Sequence, residues 1–436
     1  MQPSLPPMIK ACLRPVRRHS RLLLATLCLA MAYAKASGEV PTGSLAEAKK
    51  YYQDLAKTLQ FPVSDPALIE QTTLTDLAVY LGFPNLTAHD LEFLAPADLV
   101  AWGQAAGAPP GDVLVTRFFA PKIMNIKDPE ATRKLGWRKL VRLRAQPNSA
   151  AGRNKVAAAV ILFNILTAPD STAAPFGPDD FSFNTQVMLM SDPASVRPLP
   201  PQRNKDADRD TVYWLDYDSS NNGGKLAFAL NASFDANELL TGSNRDYFVP
   251  HGCAACHGNN SQRSLLNYLD TDHWFDRLKT DFPKLQAGGL PLLVDAGTND
   301  PDSPAYQAAF DVIRRFNAEA DQQAAQAQPG HDETLAADKW LKLHVTDGRP
   351  LPPLQRAIGP APQWSPAETD VLGALDQYCF RCHGTIKFSV YNRQSLRDRW
   401  PNVLERLAPD APPGVRMPTD RELAAEVRAL LQNFHP

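Results

Sequence analysis

The sequence predicts a mainly α fold with one small β-hairpin, arranged as a helical N-terminal domain followed by two segments each built around a Cys-x-x-Cys-His pentapeptide. Three observations carry this. Ser44 to Glu47, Ser365 to Glu368 and Thr419 to Glu422 each place a hydroxyl three residues before a Glu, ahead of apolar-periodic stretches, which is the signature of a helix start. Strand-like alternation is concentrated near residues 211–230, where a turn separates two short β-rich runs. The pentapeptides are Cys253-Ala254-Ala255-Cys256-His257 and Cys379-Phe380-Arg381-Cys382-His383. At 436 residues the chain is long enough for two or three domains.

Residues 1–36 carry Lys10, Arg14, Arg17, Arg18, Arg21 and Lys35 and no acid, with an apolar run from Leu22 to Ala34 and small residues at Ala34 and Ala36. This is the pattern of a secretory signal peptide cleaved after about Ala36. The run is shorter than the roughly 18 residues a membrane span needs. Six of the 45 basic residues lie in this leader, so the mature chain keeps 39 against 47 acidic residues, a net charge near −8. The expected product is an acidic periplasmic protein with no membrane span after cleavage, and nothing in its charge points to nucleic acid.

Residues 37–245 form the N-terminal domain, of unknown role. A helix should follow Ser44 and bury Leu55 and Leu59, with Phe61 beyond them. Shorter helices are expected at 66–81, 87–93 and 96–106, separated by Pro and Gly. Between 133 and 155 stand Arg133, Lys134, Arg138, Lys139, Arg142, Arg144, Arg153 and Lys155. This segment is either a docking site for an acidic partner or a solvated helix face with Leu140, Val141 and Leu143 turned inward. Val156 to Ala168 reads as a buried helix. Thr211 to Tyr217 and Lys225 to Leu230 read as a hairpin. Asp206, Asp208 and Asp210 begin like a calcium loop, but Thr211 stands where Gly is needed and Tyr217 where a bidentate Glu is needed. A solvated acidic turn fits better.

The pentapeptides carry the chemistry. Two thiols three positions apart form thioethers to the two vinyl groups of one haem, and the adjacent imidazole becomes the proximal ligand of its iron. The chain has six cysteines; Cys12 and Cys28 fall in the leader, and all four others lie in the two motifs. Disulfides or a four-thiolate zinc site would account for the cysteines but not for a His after each pair. Two covalently bound haem c groups are therefore expected, with His257 and His383 as iron ligands. In the first haem-binding segment, 246–347, no Met lies between His257 and His383. The opposite face of its iron falls to His273, His344 or His331, to Met188 or Met190 from the N-terminal side, or to an open position. His273 is preferred, since a second histidine soon after the attachment motif resembles one haem of the bacterial di-haem peroxidases.

The last segment, 348–436, opens with a Pro- and Gly-rich linker, Gly348 to Pro362. A helix should then run from Ser365 into Cys379, and a closing helix carry Leu423, Val427, Leu430 and Leu431. Met417, before Pro418, is the only Met after the first motif. Helix, Cys-x-x-Cys-His, Met-Pro loop and closing helix in this order resemble a class I cytochrome c domain. The resemblance implies thioether roles for Cys379 and Cys382, with His383 proximal and Met417 distal.

The chain thus reads as a periplasmic di-haem c-type cytochrome passing single electrons between redox partner proteins. Met ligation favours reduced iron, so electrons would run from the first haem to the second. The alternative is a di-haem enzyme, peroxidase- or oxygenase-like, whose first haem takes substrate while the second relays electrons. A third class is a haem-bearing binding or sensor subunit that recognises a partner through 133–155.

Overall fold

In the computed structural model the N-terminal domain is a layered α/β unit built on a six-stranded antiparallel sheet, where mainly helix was expected. The structure describes residues 43–62, 71–119, 135–167, 184–191, 212–218, 224–230, 247–250, 291–327, 368–379, 393–411 and 423–436, with Phe176, Ser182, Cys253, Leu269, Thr271, Trp274 and Gly289 between them. Of these residues 49% are helical and 22% lie in strands, which overturns the expectation of a mainly α chain with a small hairpin.

The leading helices follow their caps. Helix α1 (Leu45–Leu59) starts at Ser44, whose hydroxyl accepts the Glu47 amide proton at 3.2 Å and donates to the Glu47 carboxylate at 3.0 Å. It buries Tyr51, Tyr52, Leu55 and Leu59. Helices α2 (Leu74–Leu81) and α3 (Ala88–Phe93) each start with a reciprocal capping box, Thr73 with Asp76 and Thr87 with Asp90. Helix α4 (Pro96–Ala105) has Pro at its first position.

Residues 135–144 and 156–167, which fall in segments given a helical reading, are strands. Strand β1 (Val113–Phe119) is followed by β2 (Leu135–Arg144), the short helix α5 (Ala150–Arg153), β3 (Val156–Thr167) and β4 (Asn184–Ser191). Strands β5 (Val212–Tyr217) and β6 (Leu226–Ala227) complete the sheet in the order β1-β2-β3-β4-β5-β6. The expected hairpin exists as the β5–β6 pair, but it is one end of this larger sheet. Strand β3 explains the misreading. Val156, Ala158, Ala159, Val160, Ile161, Phe163 and Ile165 are all buried, because this central strand is covered on both faces and a strand so placed shows no alternation. Its β-branched residues suit a strand better than a helix.

The register sorts the two faces, since cross-strand partners point the same way. Leu114, Arg142, Val160, Met188 and Trp214 share one row on one face; Val115, Val141, Ile161, Val187 and Leu215 share a row on the other. Lys139, on the second face, reaches the end of α3, where its ammonium donates to the carbonyls of Glu92 and Leu94 at 2.8 and 2.7 Å. Arg142, on the first face, reaches helix α6 (Pro304–Ala327) and pairs with Glu319 at 2.7 Å. The basic stretch is therefore a strand with cations buried on both sides, correcting the solvated-helix expectation.

The sheet edges are closed by other elements. The outer edge of β1 takes the turn around Val294–Ala296: the Phe119 amide donates to Leu292 O at 2.8 Å, and the Arg117 amide and side chain both bind Asp295. Beyond β5, two hydroxyls of α1 accept backbone protons, Tyr51 from Trp214 at 2.8 Å and Tyr52 from Asp216 at 3.3 Å. A two-stranded ribbon, β7 (Ala229–Leu230) with β8 (Tyr247–Phe248), leads the chain toward the first pentapeptide. Helices α7 (Thr369–Tyr378), α8 (Arg393–Leu407) and α9 (Ala425–Gln432) pack an apolar cluster of their own.

Candidate functional site

The second pentapeptide begins at the C-terminus of α7. The Cys379 amide closes that helix on Leu375 O at 2.9 Å, and the residue is partly buried against the apolar cluster. Helix α9 packs across both α7 and α8. Leu431 is buried in the cluster and Val427 and Leu430 lie against it, on a closing helix that begins beyond Leu423, which is buried in the cluster ahead of it. Trp400 locks the end of the chain, with its indole N–H on Phe434 O at 2.8 Å and its ring edge-on to the Phe434 ring. Ser365 of the first expected capping box lies outside the described residues, and the second box does not start its helix. Helix α7 begins at Thr369 with Glu368 as an uncapped N-cap, its carboxylate bound to Arg393, and α9 begins after Ala424, beyond Thr419 and Glu422.

The first pentapeptide follows β8. Val249 is fully buried and its amide donates to Phe228 O at 3.1 Å. Four residues on, Cys253 is buried at 6% exposure. Its neighbourhood is polar as well as apolar. Burial first, and then the Asp216 carboxylate, hold the Tyr52 hydroxyl well above the usual tyrosine range, with smaller contributions from the Cys253 thiol and Tyr51. That hydroxyl also donates to Ala227 O at 2.6 Å. Asp216 is 1% exposed. Sequence reasoning missed Tyr51, Tyr52 and Asp216, since nothing in a pair of tyrosines within a helix marks them as strand partners.

Downstream, Leu269, Thr271 and Trp274 are all buried. The Trp274 ring stacks on Phe118 of β1, centroids 4.7 Å apart and planes 4° from parallel. The Asn317 side chain, from α6, accepts the Leu269 amide proton at 2.6 Å and donates to Leu269 O at 3.0 Å.

Of the residues singled out from sequence, Cys256, His257, Cys382, His383, Met417, His273, His331 and His344 lie outside the described residues, as do Asp206, Asp208 and Asp210 and the leader. Met188 and Met190 are buried on β4. In the register they face Trp214 and Val212 of β5, next to the Tyr51 and Tyr52 contacts, and lie three strands, about 14 Å, from the β1 strand that carries Phe118.

No family model, no curated protein and no solved structure matches the chain. Among the described residues no helix is long and apolar enough to cross a membrane. The basic segment divides by exposure. Lys139 and Arg142 are about 1% exposed and bonded internally, Arg142 Nε alone being without a partner among the described residues, whereas Arg144, Arg153 and Lys155 are exposed. Burial, then the Arg117 guanidinium, push the Lys139 ammonium down to about 7, against the opposing pull of Glu92 and Asp295. Burial likewise raises Glu92, offset by the Ser182 amide and Lys139.

Proposed function

We propose that this protein is a periplasmic di-haem c-type cytochrome that carries single electrons between redox partner proteins. The observation that carries the reading is the pair of Cys-x-x-Cys-His pentapeptides, which account for every cysteine beyond the leader. The surroundings of the two leading cysteines fit the group. Cys379 stands where a helix ends against an apolar wall, and Cys253 is buried behind a tethered ribbon. A haem anchored at each motif would supply a one-electron couple held close to the protein.

The chain's own residues have distinct parts in this. Cys253 with Cys256, and Cys379 with Cys382, anchor one group each, and His257 and His383 ligate iron. Met417 would hold the second group from its distal side, where a soft sulfur favours the reduced state, and His273 would do the same for the first. The apolar cluster that Cys379 packs against, with Val371, Leu372, Leu375, Leu396 and Leu431, would help keep water from a group anchored there. Arg153 and Lys155, exposed cations of the basic segment, are available to an acidic redox partner.

The test is the ultraviolet-visible and electron paramagnetic resonance spectrum of the ferric mature protein, with carbon monoxide added after reduction. Two low-spin haems and no carbon monoxide binding are expected of a carrier. A high-spin haem that binds carbon monoxide in the unaltered protein would replace this reading with the enzyme one, peroxide being the first substrate to try.

A further inference from the structure

We propose that Lys139 and Glu92 form a proton-operated latch, which fastens the end of α3 and the backbone at Ser182 to the second face of the sheet and is loosest near neutral pH. Lys139, Phe163 and Thr185 share one row across β2, β3 and β4 on that face. Lys139 is buried, and its Nζ donates to the carbonyls of Glu92 and Leu94, with the Phe163 ring centroid 5.9 Å away. Among the described residues no carboxylate forms an ion pair with it. Glu92 bonds elsewhere. One carboxyl oxygen accepts the Ser182 amide proton, and the other is buried with no hydrogen-bond partner among the described residues. The Ser182 and Thr185 hydroxyls lie 3.1 Å apart, which joins the cluster to β4.

A buried cation without a counter-ion, and a buried carboxyl with an orphaned oxygen, each penalise the closed state when charged. Arg117, the cross-strand neighbour of Lys139 on β1, opposes the lysine charge; Glu92 of α3 and Asp295 of the Val294–Ala296 turn favour it. Asp295 is already bound by Arg117. Burial and Arg117 prevail and hold Lys139 down at about 7, while burial raises Glu92 against the Ser182 amide and Lys139. Moving this corner into water returns both groups to their ordinary values. Opening therefore takes up a proton at Lys139 between about 7 and 10.5, and releases one from Glu92 between 4.5 and its raised value. Alkali suppresses opening through Lys139, and acid suppresses it through Glu92. Opening is easiest between the two limbs.

The experiment is peptide-resolved hydrogen exchange of the full-length mature protein from pH 4.5 to pH 9, with each rate divided by its intrinsic value. The reporters are the amides of α3, such as Leu91 and Leu94, which bond Thr87 O and Asp90 O. Their protection is expected to rise by up to about tenfold per pH unit above about pH 7, and to fall with pH on the acid side. Lys139→Met should lose the alkaline limb. Glu92→Gln, which keeps an oxygen for the Ser182 amide, should lose the acid limb, and it carries the test should Lys139→Met fail to accumulate. Because the opening is local, low urea should leave α3 exchange unchanged. Protection independent of pH in the wild type, or a limb that survives its own substitution, would overturn the latch. So would α3 exchange that accelerates with urea as steeply as that of α1, since the opening would then be global. None of these outcomes bears on haem attachment.

Discussion

Arg142 and Glu319 meet at 2.7 Å between the sheet and helix α6, with the Arg142 side chain 2% exposed and Glu319 23% exposed. The guanidinium also donates to the carbonyls of Gly111 and Asp112, at 2.9 and 3.1 Å. Removing one member leaves the other charge buried, and such losses are large. Glu319→Ala is expected to lower unfolding free energy by about 3 kcal/mol. The double variant Arg142→Met with Glu319→Leu should recover much of that. Urea unfolding of the single and double variants measures the difference.

Helix α4 meets β1 closely at Gly103. A Cβ added there would lie 2.6 Å from Cγ2 of Val113, closer than packed side chains approach. Gly103→Ala is expected to destabilise by about 1–3 kcal/mol through overpacking. Val113→Ala in the same chain should relieve the clash, so the double variant is expected to be more stable than the sum of the single losses implies.

The edge of β5 depends on two hydroxyls. Tyr51→Phe leaves the Trp214 amide without its acceptor, and Tyr52→Phe removes both the bond from Asp216 N–H and the one to Ala227 O. Each is expected to cost about 1–3 kcal/mol, Tyr52 the more. Hydrogen exchange at the Trp214 and Asp216 amides should accelerate selectively in the respective variants.

Stability should depend on pH through Lys139. Its folded value of about 7 lies below the ordinary 10.5, so between these limits the unfolded chain holds a proton that the folded chain lacks. Stability from this group therefore rises with pH across that window and is lost as pH falls through about 7. Glu92, raised by burial, acts in the other direction: its contribution is present below its ordinary value and lost as pH rises through the folded one. Lys139→Met is expected to flatten the rise in urea midpoint between about pH 7 and about pH 10. An unchanged slope would assign that rise to other groups.

The helices that begin with a visible cap were legible from sequence. Ser44 and Glu47 mark α1, and Pro96 marks α4. The sheet was hidden for two physical reasons. Strand β3 is buried on both faces, so Val156 to Thr167 has no alternation to read. Strand β2 carries Lys139 and Arg142, whose charges break the apolar pattern yet are satisfied by carbonyls and Glu319 distant in sequence. Glu368 stands as the N-cap of α7 with its carboxylate bound to Arg393, a partner 25 residues away that no local pattern announces. At the candidate sites, Cys253 and Cys379 stood out in the sequence because the Cys-x-x-Cys-His spacing is local. Tyr52, Asp216 and Asn317 did not, since they reach their positions only when remote strands and helices pack.

The measurement that bears most directly on the central claim is the number of haems covalently attached per chain, taken on protein made with the c-type maturation machinery. Two are expected in the wild type. The paired substitution Cys253→Ala with Cys256→Ala should retain one, and so should Cys379→Ala with Cys382→Ala. A wild-type chain that carries fewer than two covalent haems, or whose haem survives both pairs of substitutions together, would contradict the account.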